Sequence, residues 1–104
     1  MKTEMSLDTY PGDLIHYIRD KRTKQPRGVV IATKINEKQY GIGWSFTNTK
    51  AGDRFDKELG LRIARGRCTH ATNKIVPIEI SHSLSNMEKR AHRYFKHMNR
   101  FKPF

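Results

Sequence analysis

The residues with the clearest chemical potential in this chain are cations at helical spacing. RIARGR puts Arg62, Arg65 and Arg67 at the end of one helical pattern. Lys89, Arg93, Lys96 and Arg100 recur at i, i+4, i+7 and i+11, along one side of a second. Ammonium and guanidinium groups so arranged suit contact with the phosphates of a nucleic-acid backbone. A run of charge is more often just a solvated face. Here, however, residues 81–104 hold six Lys and Arg against Glu88 alone. With the two helices side by side, these seven residues, His70 and Arg90 would form one continuous field. On that reading Arg65 and Arg67 are solvated, and reversing their charge leaves the fold intact.

A second anion site is conceivable in the loop TNTKAGD, where Thr49, Lys50 and Gly52 lead into a helix N-terminus. The loop matches no phosphate-binding fingerprint, and Asp53 and Asp56 would repel a phosphate there. Ordinary turn and cap chemistry is the competing reading. Tyr94, Phe95, Phe101 and Phe104 interleave with the basic residues and could stack on unpaired bases. Tyr94 and Phe95 also fit the apolar stripe of their helix, which favours a core role for them.

Catalysis has little footing. His92 and His97 do not share a helix face, and Cys68 near His70 lacks a third group to orient the pair. H-x-x-x-H, C-x-x-C and G-x-S-x-G are all missing from the sequence. The expectation is a binding protein rather than an enzyme, with neither metal nor cofactor.

Composition agrees. The 104 residues fit one domain, and 21 Lys and Arg against 10 Asp and Glu give a net charge of +11. Residues 1–50 contribute 9 − 5 = +4 and residues 51–104 contribute 12 − 5 = +7. A chain this basic calls for an anionic partner. The single cysteine, Cys68, excludes an internal disulfide and suits a reducing compartment. MKTEMSLDTYPGD has no apolar core of a secretory signal, and the longest apolar run, VVIA, is far too short to span a membrane.

The elements that must position the cations follow from periodicity. LIHYIRD, after the turn signal Pro11-Gly12-Asp13, reads as a strand. GVVIATKI reads as a strand buried on both faces. YGIGWSF alternates strictly, with Tyr40, Ile42, Trp44 and Phe46 on one face and Gly41, Gly43 and Ser45 on the other. The bare face implies either a tightly packed helix or a bulge on one reading, or a flat surface for a ligand or nucleic-acid backbone on the other. Helix one is expected to start at Asp53, with Asp56 as the acid of a capping box and Phe55, Leu59 and Ile63 as its buried stripe. IVPIEI reads as an edge strand or connector because of Pro77. Helix two is expected to start at the capping box Ser85 to Glu88.

The block GWSFTNTKAGDRFDKELGLRIARGR resembles a family of small, basic, uncharacterised proteins of tailed bacteriophages. The resemblance rests on Gly43, Ser45, Asp53, Phe55, Asp56, Lys57, Gly60, Ile63, Ala64 and Arg67, and extends over about residues 13–70. LIHYIRD and RGVVIA are similar to that family's opening strands. The resemblance implies work in the cytoplasm of an infected bacterial host and brings no activity with it.

The expected architecture is α+β: a three-stranded antiparallel meander with both helices packed on one face. A flexible segment over 1–12 precedes the domain at 13–100, and 101–104 form a tail. In the single expected core, Tyr40, Ile42, Trp44 and Phe46 meet Phe55, Leu59, Ile63, Met87, Ala91, Phe95 and Met98. The leading function is DNA or RNA binding through Arg62, Arg65, Arg67, Lys89, Arg93, Lys96 and Arg100, with little sequence preference. The alternative is a host-takeover or anti-defence factor that uses the same charge to bind an acidic bacterial protein or a ribonucleoprotein. A membrane-surface role for helix two ranks below both, because its apolar face is needed for the core.

Overall fold

A computed structural model describes residues 12–47, 54–70, 72 and 74–103. The element order is β1 (Leu14–Arg19), β2 (Pro26–Lys34), β3 (Gln39–Phe46), α1 (Lys57–Arg67), α2 (Ile78–Tyr94) and β4 (Asn99–Arg100). The sheet order is β1-β2-β3-β4. The first three strands form the expected antiparallel meander, with Leu14 opposite Ala32 and Ala32 opposite Ile42. The fourth strand was not expected. It is two residues long and pairs parallel to the start of β3, Asn99 with Gln39 and Arg100 with Tyr40. The N–H of Phe101 continues this edge by donating to the Tyr40 carbonyl at 2.8 Å.

Side-chain oxygens close both hairpins. Asp20 Oδ1 accepts the N–H groups of Arg22 and Thr23 at 2.8 and 2.9 Å between β1 and β2. These donors, Thr23 first, hold the Asp20 carboxyl below its ordinary pKa, because they favour the charged form. Asn36 Oδ1 accepts from the Lys38 N–H at 2.8 Å between β2 and β3.

The helices lie on opposite faces of the sheet, which overturns the expectation of both on one face. The pleat explains it. Tyr40, Ile42 and Trp44 of β3, with Val30 and Ala32 of β2 and Leu14 of β1, face Ile80, Met87, Ala91 and Phe95 from α2. Val29 and Ile31 point the other way and meet Leu61, Ala64 and Cys68 from α1. The bare face of β3 is therefore the seat of α1. A Cβ on Gly43 would run into the Ala64 carbonyl oxygen, and one on Gly41 would stand 2.6 Å from that of Cys68. Of the two readings of that face, the packed helix is correct.

The helix boundaries and stripes also shift. α1 starts at Lys57, with Asp56 as its cap accepting the Leu59 N–H at 3.0 Å. Asp53 itself lies outside the described residues. The buried positions of α1 are Gly60, Leu61 and Ala64, while Leu59 and Ile63 of the expected stripe are exposed. Phe55 packs at the margin, edge-on to Tyr17 at 6.4 Å between centroids. α2 starts seven positions before the expected capping box, at Ile78, with Pro77 as the preceding residue. Proline has a fixed φ and no N–H to leave unsatisfied, so it opens a helix as readily as it borders a strand.

Candidate nucleic-acid interface

The two-faced packing decides where each expected contact residue goes. Cys68 and Ala64 face the sheet, so Arg65, one position beyond Ala64, flanks the buried stripe. Its Nη2 donates to Asp13 Oδ2 at 2.6 Å and its Nη1 to Thr33 Oγ1 at 3.2 Å. Thr33 Oγ1 in turn donates to Asp13 Oδ1 at 2.6 Å. The side chains of Arg65 and Asp13 are only 17% and 4% exposed, so this is an interior ion pair and not a solvated cation. Arg65 ties α1 to the start of β1, which corrects its expected role in phosphate contact.

Arg67 also turns toward the sheet. One Nη1 N–H donates to the Trp44 carbonyl at 3.0 Å, on the outer edge of β3. Its guanidinium lies over the indole ring of Trp44, 4.3 Å from the centroid. Partial burial lowers its pKa from the ordinary arginine value, and the group still carries its charge at neutral pH. Arg100, on β4, bonds Glu88 of α2 at 2.7 Å. Arg62 is exposed on the outer side of α1, 3.8 Å from Glu58. Lys89 and Arg93 are exposed on the outer side of α2, and Lys96 just beyond its end is exposed too. The continuous field across both helices therefore does not form, since the sheet separates Arg62 from Lys89 and Arg93.

The structure instead gathers Arg67 and Arg100 at a basin of about 530 Å³ along the open edge of β3. β4 covers only Gln39 and Tyr40, so the edge from Ile42 onward has no neighbouring strand among the described residues. His70, Lys74 and Val76, which lie between α1 and α2 in the sequence, line the basin wall, and Lys102 follows β4 into it. Ile42, Trp44, Val76 and Leu84 supply the apolar part. Lys74 and Lys102 were not foreseen as site residues. They lie outside any helical or strand period, and no pattern in the sequence marks them. Two further clefts, of about 540 and 700 Å³, flank the β1–β2 turn around Asp20 and Arg27. Arg27 there stacks on Phe46, 4.8 Å from its centroid, and lies 4.0 Å from Asp20.

The sulfur of Cys68 is fully buried and contacts the Ala64 carbonyl at 3.5 Å, and burial pushes its pKa up to about 12. Among the described residues, no three His, Cys, Asp or Glu come together as a metal site, and no helix is long and apolar enough to cross a membrane. Thr49, Lys50 and Gly52, the other expected anion site, lie outside the described residues, as does Phe104. Comparisons with protein families, curated proteins and solved structures find no match to this chain.

Proposed function

We propose that this chain is a non-enzymatic nucleic-acid-binding protein that contacts the phosphate backbone with little sequence preference. The observation that carries the reading is the outer side of α2. Lys89, Arg90 and Arg93 are exposed there, Lys96 follows, and among the described residues no carboxylate pairs with any of them. Of the two acids of α2, Glu79 stands in the first turn and Glu88, beside Lys89, is engaged by Arg100. Unpaired cations on a rigid helix supply the sequence-independent part of nucleic-acid affinity, through release of condensed counterions. The resemblance of residues 43–67 to small phage proteins supports an infected bacterium as the setting.

The test is binding to a generic duplex and to single strands across a salt series. If Lys89, Arg93 and Lys96 each neutralise one phosphate, the log–log slope on duplex is roughly −3. Lys89→Glu with Arg93→Glu is expected to flatten it by about two. Absence of binding at low salt, or affinity indifferent to salt, sinks the reading.

One observation favours a second reading, a factor that docks on a bacterial protein. Ile75 and Ile78 are 89% and 84% exposed around the entry to α2, an unusual place for two large aliphatic side chains. A host partner that stays bound after nuclease treatment, and is lost in Ile75→Ser with Ile78→Ser, supports that reading over the first.

A further inference from the structure

We infer that the basin at the open edge of β3 is a nucleotide subsite, with the phosphate held by cations on its rim and the base stacked on Arg67. The inference builds on the nucleic-acid reading but concerns a different surface from the outer side of α2. Four Lys and Arg side chains line the basin, Arg67, Lys74, Arg100 and Lys102, against the single acid Glu88, so its charge is 4 − 1 = +3 with His70 neutral. Glu88 is neutralised by Arg100 at 2.7 Å. A volume of about 530 Å³ lies within the range of pockets for small organic ligands, roughly 300–1,000 Å³.

A purely ionic patch would take any anion. This basin adds a flat element. The Arg67 guanidinium lies over Trp44 at 4.3 Å, and its bond to the Trp44 carbonyl at 3.0 Å anchors it there. The guanidinium sits over the indole and also lines the basin, and we take it as the flat cation offered to a ligand. Planar guanidinium groups stack on nucleobases, and a pre-oriented one loses little entropy in doing so. Lys74 and Lys102 are exposed and stand where a phosphate on the same ligand would reach them. A planar base joined to a phosphate meets both requirements, and inorganic phosphate meets only one. The ligand is either a free mononucleotide or one residue of a single strand laid along the sheet edge.

Trp44 is the only tryptophan of the chain, so its emission reports on the basin directly. The experiment titrates the intact protein with adenosine monophosphate, with inorganic phosphate and with a short single-stranded oligonucleotide, and follows that emission. Adenosine monophosphate is expected to change it saturably. Lys74→Ala with Lys102→Ala, two exposed positions, is expected to weaken that binding by roughly tenfold or more, as loss of a charge-assisted hydrogen bond does. Adenosine monophosphate that leaves emission unchanged, or binds the double variant equally well, overturns the subsite. Phosphate that competes as well as the nucleotide overturns the stacked base. Oligonucleotide binding that leaves Trp44 untouched, with no response to adenosine monophosphate either, overturns the subsite while the backbone reading stands. A response to the mononucleotide without any strand binding supports the subsite and removes the nucleic-acid reading.

Discussion

The two faces of β3 are built by opposite means. On the α2 side, large side chains make the contact: Tyr40 stacks on Phe95 at 4.9 Å between centroids, and Ile42 and Trp44 complete the layer with Met87 and Ala91. On the α1 side, the missing side chains make it: Gly41 and Gly43 let the backbone of α1 rest directly against the strand. One face gains from volume and the other from its absence. A single strand can serve both because successive residues point to opposite sides. A glycine in a strand, usually a weakness, here sets the distance between two layers.

The sharpest way to break this contrast is Gly43→Ala. The added methyl meets the Ala64 carbonyl, which is backbone and has no side-chain freedom with which to yield. A loss of about 4–5 kcal/mol is expected, at the exceptional end for one substitution and far beyond its single added carbon. Urea denaturation measures it. Trp44→Ala makes the opposite error on the opposite face and is expected to cost about 3–5 kcal/mol by leaving a cavity in a layer where the ring is 8% exposed. An equal loss from an apolar filler such as Trp44→Leu would show that the Arg67 stack, rather than volume, is what the ring supplies.

Arg65→Ala comes next. It removes the ion pair from the Asp13 carboxylate, 4% exposed, and is expected to cost about 3 kcal/mol. A melting temperature equal to that of the parent would return Arg65 to the solvated surface. Gly66→Ala sharpens the comparison by its sign. Gly66 lies in the same helix as the tight contacts, yet a Cβ there meets nothing within 4 Å. The substitution is expected to stabilise by about 0.5–1 kcal/mol, because it removes backbone freedom from the unfolded chain. The smallest effect is chemical. With its pKa raised to about 12, the Cys68 thiol is protonated throughout the neutral range, and thiolate appears only as pH climbs toward that value. An alkylating reagent at pH 8 is expected to leave the folded protein unlabelled and to label it after denaturation.

The strands were legible because their signals are local. Strict alternation in β3 and β-branched density in β2 need no knowledge of the rest of the chain. β2 also carried the warning that the single-core picture ignored: a strand apolar on both faces must be covered on both. The stripe of α1 misled because it was read from Phe55, Leu59 and Ile63, whereas a helix seated on glycines needs a small residue, Ala64, at the contact, and Gly60 gives room to the Phe55 ring. The start of α2 misled because Ser85 to Glu88 satisfies a capping pattern in the interior of a longer helix. β4 left no trace, since two residues cannot carry a period. Among the candidate site residues, Arg67 and Arg100 were picked by charge and helical spacing, and their shared basin follows instead from the sheet edge that brings them together. Arg65 was found by the same criterion and belongs to the interior.

A sheet loaded on both sides also shapes how the molecule opens. α1 and α2 bury their apolar residues in separate layers, with the meander between them. The undocking of one helix therefore leaves the apolar layer of the other in place, apart from the Arg67 contact with Trp44, so local opening divides into two units about a common centre. Amide protons of β2, held between both layers, exchange slowest and report the global transition. Those of each helix follow their own equilibrium. Between the two helices in the sequence, His70, Lys74 and Val76 stand at the edge of β3, where the two units meet.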